Sequence, residues 1–183
     1  MARKRRAPKG KKMNPTFFVF CEGETEEAYV HFLKRHFRLP SIQIHSRVSR
    51  NKITARYIKN YKQDKPQHEK DRDFLMYDLD VPKILARLKK IKGATLLVSN
   101  PCIELWFLLH FKNHQGECDP DFCTREMRNR NKGYQKGDLS TKLEEKLSTK
   151  MDQAVTRAKA LEPFQNPSST VYRLIEALLE LRK

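Results

Sequence analysis

Phe17-Phe18-Val19-Phe20-Cys21-Glu22-Gly23-Glu24-Thr25-Glu26-Glu27 is the stretch whose reading decides the fold of this chain. Its first five residues are apolar, three of them Phe, and match a short strand buried on both faces. The run stops at Glu22-Gly23, a turn signal, and four carboxylates (Glu22, Glu24, Glu26, Glu27) fall within six positions. In an open α/β sheet, ligands bind at the carboxyl ends of the strands. Acids crowded at such an edge repel one another unless something positive lies among them, and a divalent cation is the usual answer.

Working outward, residues 25–37 place Ala28, Tyr29, Phe32, Leu33 and Phe37 on one helical face, closed by Pro40. Residues 41–48 alternate like a half-buried strand, and 53–61 read as a helix. A short apolar strand over 74–77 ends in Asp78-Leu79-Asp80. Pro82 opens a helix whose outer face carries Lys83, Arg87, Lys89, Lys90 and Lys92, and 94–98 form a fourth strand. Asn100-Pro101 then starts a helix (Ile103, Leu105, Trp106, Phe107, Leu108, Leu109, Phe111) too apolar all round to be anything but buried. Strand alternating with helix predicts an α/β fold with a mainly parallel sheet flanked by helices. Residues 114–138 are polar, Gly-containing and basic (Arg125, Arg128, Arg130, Lys132, Lys136), and are expected to form a mobile loop. Helical stretches at 139–147, 151–161 and 169–181 finish the chain as a C-terminal helical portion.

Composition sets the class. A length of 183 residues suits one domain, here 15–183 behind a tail of residues 1–14, and 38% hydrophobic with 33% charged residues suits a globular protein. No apolar run nears the roughly 18 residues of a membrane span, and the N-terminus lacks the core of a signal peptide. A cytoplasmic protein that does not engage a membrane is expected. Cys21, Cys102, Cys118 and Cys123 therefore read as thiols, with Cys118 and Cys123 as ordinary loop cysteines lacking a second metal-like pair. Lys and Arg number 38 against 22 acids, a net charge of +16. Arg3, Lys4, Arg5, Arg6, Lys9, Lys11 and Lys12 crowd the first twelve residues without an acid. Such a tail is expected to be disordered, and because the body is basic too, it reads as a phosphate-contacting arm.

The sharpest constellation is Glu22 with Asp78 and Asp80, all at strand ends that share one sheet edge. Two aspartates at i and i+2 point to one side if the strand conformation continues, and a carboxylate from a neighbouring strand would complete a magnesium site. Glu26 either faces the same spot or caps its helix. Glu104, one turn into the apolar helix, is either dipole-stabilised and solvent-facing or part of the site. His110, among Leu108, Leu109 and Phe111, reads as a core histidine. The helix start at Asn100-Pro101, and a second expected at Asn166-Pro167-Ser168-Ser169-Thr170, read as caps that could also offer free amides to phosphate.

Phe18-Val19-Phe20-Cys21-Glu22-Gly23-Glu24-Thr25-Glu26 resembles the opening motif of Toprim-type nuclease domains, and Asp78-Leu79-Asp80 is similar to their D-x-D motif. Ser99-Asn100-Pro101-Cys102-Ile103-Glu104-Leu105-Trp106 and Asn166-Pro167-Ser168-Ser169 narrow the likeness to the RloB family, over nearly the whole chain from about residue 15. The resemblance implies a Toprim-like fold and magnesium- or manganese-dependent cleavage of a nucleic acid phosphodiester, tRNA or other RNA included. It also implies a role in prokaryotic anti-phage defence and an AAA-type ATPase partner. Carried over, Glu22 assists catalysis, while Asp78 and Asp80 hold the metal with Glu22 or Glu26 as a further ligand; Glu26, and Glu104 from its place in the apolar helix, join the catalytic candidates. Arg125, Arg128, Arg130, Lys132, Asn100, Asn166 and Ser168 join the arm as expected nucleic-acid contacts.

A different class, a non-catalytic nucleic-acid-binding or regulatory Toprim module, stays open, as does homo-oligomerisation. Three mutually repelling acids favour catalysis, since a retired site has no physical reason to keep them. A receiver-like phosphotransfer domain would want Asp, not Glu22, at the end of its first strand.

Overall fold

The computed structural model describes residues 14–182, so the arm residues Arg3, Lys4, Arg5, Arg6, Lys9, Lys11 and Lys12 lie outside the described residues. The chain runs β1 (Thr16–Cys21), α1 (Glu24–Phe37), β2 (Gln43–Val48), α2 (Ala55–Lys62), β3 (Arg72–Asp78), α3 (Ile84–Lys89), β4 (Ala94–Asn100) and α4 (Ile103–Phe111). It continues through α5 (Pro120–Arg130), α6 (Thr141–Thr149), α7 (Met151–Lys159), β5 (Ser168–Ser169) and α8 (Tyr172–Glu180). The architecture is α/β. The sheet order is β2-β1-β3-β4-β5, with the first four strands parallel and only β5 antiparallel, to β4.

β1 is apolar from Phe17 onward because it is a central strand: all six residues are buried, with Phe17, Val19 and Cys21 in one core and Phe18 and Phe20 in the other. The first core joins α1, α4 and the C-terminal helices; the second is covered by α2 and α3. Of α4, residues 103–110 are buried, which explains its lack of a polar face. β1 therefore has β2 on one side and β3 on the other, reached by helices on opposite faces. The gap between the ends of β1 and β3 is the topological switch point of the sheet, where such folds take their ligands.

Three expectations are corrected. Residues 114–138 are not a single loop, because Asp119 caps a real helix, accepting the Phe122 N–H at 2.6 Å, and Pro120 pre-sets its first turn. The buried helix begins at Ile103 with Cys102 as its N-cap, while Asn100 still belongs to β4. Ser168 and Ser169 are strand, not helix start: pairing with Asn100 and Ser99 uses their backbone, and α8 begins only at Tyr172. No helix among the described residues is long and apolar enough to cross a membrane.

Candidate active site

A cleft of about 640 Å³ opens at the switch point. Its walls come from the end of β1 (Glu22, Gly23), the first turn of α1 (Thr25, Glu26), the end of β3 (Asp78), the first turn of α4 (Ile103, Glu104) and residues 136–138. Parallel register builds it: Cys21 pairs with Met76 and the Glu22 N–H donates to Met76 O at 2.9 Å, so Glu22 leaves β1 level with the last turn of β3.

Three of the acids, Glu22, Asp78 and Glu26, are held by backbone donors. Glu22 Oε2 accepts the N–H of Asp78 at 2.9 Å. Asp78 Oδ1 accepts the N–H of Ile103, the first residue of α4, at 2.9 Å, so this amide serves an acid of the protein itself. Glu26 Oε2 accepts the Gly23 N–H at 2.8 Å, closing the capping box of α1 while its carboxyl lines the cleft. Glu26 does both things its position suggested. Glu104 is 1% exposed; its Oε1 accepts the Tyr134 hydroxyl at 2.9 Å, and its Oε2 has no partner.

The electrostatics are those of a carboxylate cluster short of positive charge. Burial, then the charges of Glu22 and Glu104, push the Glu26 carboxyl up to about 7, against the hydrogen bonds from its own backbone and Gly23. Burial first, then Glu26, Cys102, Glu104 and Glu22, hold Asp78 well above the ordinary aspartate range. Glu22 is raised by burial and, less, by nearby Asp80, against the Asp78 N–H and Arg87. The cation facing this cluster is Lys136, whose Nζ is 3.7 Å from Glu104 Oε1. Burial disfavours its charge, but Glu104 and the other acids prevail and its pKa is raised.

Not every expected residue reaches the cleft. β3 stops at Asp78, so the i, i+2 rule does not carry Asp80 to the same side; Asp80 is exposed and does not line the cleft. Asn100, Asn166 and Ser168 are spent on the frame. Asn100 Nδ2 donates to Phe164 O at 3.0 Å, Asn166 bonds both the N–H and the carbonyl of Cys118, and Ser168 is 1% exposed. Arg130 pairs with Glu126 at 3.0 Å, Arg125 lies over the Phe122 ring, and Arg128 and Lys132 are exposed, none of the four lining the cleft. His110 is buried and its Nδ1–H donates to Trp106 O at 2.9 Å, and burial lowers its pKa to about 4. Sequence reasoning missed Thr25 and Tyr134, and took Lys136 for one basic residue among many. Their signal is Tyr134-Gln135-Lys136-Gly137: Gly137 has φ +84°, which lets its N–H reach Thr25 Oγ1 at 2.8 Å and pins the segment over the acids.

The family model described as RloB-like protein matches residues 17–178. This chain belongs to the RloB-like family. No curated protein and no solved structure gives a match. The RloB-like match spans every element of the cleft, from the strand that ends before Glu22 to the segment holding Lys136.

A divalent ion fits this RloB-like chain by donor chemistry. The hard carboxylate oxygens suit magnesium or manganese, and a buried Glu104 oxygen without a partner marks where positive charge is wanted. As the side chains stand, no three acids, His or Cys among the described residues form a ready-made coordination set. Glu22, Asp78, Glu26 and Glu104 are therefore the candidate oxygen donors, drawn together rather than preassembled.

Proposed function

We propose that this RloB-like protein is a magnesium- or manganese-dependent nuclease whose active site is the Glu22–Asp78 cleft. One observation carries the reading: six carboxylates (Glu22, Glu24, Glu26, Asp78, Glu104 and Asp138) line the cleft at the switch point of the sheet, with Lys136 as its one basic residue. Maintaining that convergence costs stability unless a cation and a phosphate are to be handled there. A divalent ion held by Asp78, Glu22 and their neighbours would supply charge for the non-bridging phosphate oxygens and a more acidic bound water.

The chain's own groups have definable tasks. Lys136 meets the phosphate and offsets its charge as the acids close on the opposite side. Glu26, pushed up to about 7, is poised to take a proton from an attacking water near neutral pH. Tyr134 holds Glu104 in place by its hydroxyl, and the α4 N-terminus fixes Asp78. The family resemblance adds two further proposals, action within prokaryotic anti-phage defence and an AAA-type ATPase partner.

The second reading, a non-catalytic nucleic-acid-binding or regulatory module, draws on the lack of a preassembled coordination set among the described residues. The test is to incubate the full chain with tRNA, single-stranded and duplex substrates and about 5 mM Mg²⁺ or Mn²⁺. Metal-dependent cleavage by wild type, lost in Asp78→Asn, supports the nuclease. Equal inertness of both proteins on every substrate, with an ATPase partner as well as without, would leave the binding module.

A further inference from the structure

Residues 28–63 contain nine basic residues and no acid, and residues 81–103 contain five and no acid. The fold brings these two stretches together. α2 and α3 pack on the same face of the sheet, through Ile58, Ile84 and Leu88 against Phe18, Phe20 and Leu75. Between α2 and residues 91–94, which follow α3, runs a groove of about 290 Å³ lined by Lys59, Lys62 and Lys92, with Asp73 as its one acid. Asp73 is already paired to Lys62 at 2.8 Å. Arg56, Lys59, Lys90 and Lys92 are exposed and form no ion pair among the described residues. A surface carrying so many like charges attracts polyanions.

Aromatic rings interleave with these cations. Tyr57 and Tyr61 stand one turn apart on α2, half-exposed, and both rings rest edge-on against Phe20, at 6.3 and 5.5 Å between centroids. Arg47 Nε donates to the Tyr57 hydroxyl at 3.4 Å, and Lys65 Nζ sits 4.5 Å from the Tyr61 ring. Firmly backed rings beside cations are what sequence-tolerant single-strand binders use, bases stacking on the rings while phosphates meet the charges. The groove lies where β3 and β4 begin, at the sheet edge opposite the cleft, and α2 spans the distance between the two edges; beyond its start Arg50, just after β2, pairs at 2.8 Å with Glu24, which lines the acid site.

We propose that the α2/α3 face is the track by which a single-stranded nucleic acid reaches the acidic cleft, its phosphates on the cations of both helices and its bases on Tyr57 and Tyr61. The track rests on the nuclease reading for its destination, but its binding is measurable without any chemistry. It also relocates the phosphate contacts expected on α5, where Arg130 is already paired.

The experiment uses the full chain carrying Asp78→Asn, so that the probe survives, and a labelled single-stranded oligonucleotide titrated at several salt concentrations. Arg56→Gln, Lys59→Gln, Lys90→Gln and Lys92→Gln together should make the slope of log affinity against log salt shallower by about 2 to 3, and weaken binding at about 0.1 M salt at least about tenfold. The matched set Arg125→Gln, Arg128→Gln, Lys132→Gln and Lys142→Gln should change affinity by less than about threefold. Tyr61→Leu should weaken the single strand about fivefold and leave a duplex of equal length unaffected. Equal losses from both quadruple sets, no loss from the first, or competition by polyglutamate as strong as by the oligonucleotide would each overturn the track. Cleavage unchanged when the first set is placed in the otherwise wild-type chain, with Asp78 intact, would remove the track and leave the nuclease. Track-dependent binding by a wild type that never cleaves would do the reverse.

Discussion

Glu22 reaches across from β1 to accept the backbone N–H of Asp78 at the end of β3, Oε2 to N 2.9 Å, and so ties together the two strand ends at the switch point. Asp78 in turn holds the first amide of α4. Charge and hydrogen bonding can be separated at this position. Asp78→Asn keeps an oxygen for the Ile103 N–H, and should fold with an unchanged or higher Tm because one of the repelling charges is gone. Asp78→Ala also loses the helix-start contact and should be about 1 kcal/mol less stable than Asn. Both should lower cleavage at least about 100-fold, checked by thermal melts beside a gel assay.

Glu26 makes the cleft sensitive to pH. Its folded-state pKa is raised from the ordinary glutamate value to about 7, so the folded protein holds the proton more tightly than the unfolded chain does. The stability this contributes is fully present below about 4.5 and is lost as pH rises through about 7. The metal-free protein should therefore melt lower at pH 8 than at pH 5.5 by this contribution. Glu26→Gln, which keeps an acceptor for Gly23, should flatten that difference. An unchanged pH dependence in the variant would show that Glu26 does not carry it.

Tyr134 is the partner that Glu104 has inside the protein. Tyr134→Phe leaves both oxygens of a buried carboxylate without a hydroxyl donor, at a cost of about 1–3 kcal/mol, and Lys136 alone remains beside it. A lowered Tm that millimolar Mg²⁺ restores more fully than it raises wild type would match this reading. A Tm equal to wild type would mean that Tyr134 is not needed to hold the acid.

How much of this was legible follows the range of the signals. β1, α1, β3 and β4 were readable because burial on both sides of a central strand, or on one face of a helix, writes itself into consecutive residues. Glu22, Glu26 and Asp78 were readable for a related reason, since strand ends on a parallel sheet share an edge. Asp80 stays outside the cleft wall because the i, i+2 rule needs an extended backbone, and β3 ends two residues before it. Asn100 and Asn166 looked like helix caps because local propensity cannot see that their amides bond Phe164 and Cys118 across the fold. Tyr134 and Lys136 reach Glu104 from 30 and 32 residues away in sequence, through a turn pinned by Gly137, and no periodicity marks such a contact.

The arm should act on affinity alone. Deleting residues 1–12 removes seven cations and should weaken nucleic acid binding and flatten its salt dependence, while the cleavage rate at saturating substrate stays within about threefold of wild type. Filter binding across a salt series, run beside single-turnover cleavage, separates the two effects.

The central claim is that the Glu22–Asp78 cleft takes up a divalent cation in order to handle phosphate. Calorimetric titration of Mn²⁺ into the full chain, in two buffers of different ionisation enthalpy near pH 7, measures both the binding and the protons released with it. The account predicts saturable binding accompanied by proton release, as Glu26 and Asp78 give up the protons that burial and crowding hold there, and loss of that binding in Asp78→Asn. No Mn²⁺ binding by wild type, or binding of equal strength in Asp78→Asn, would contradict it.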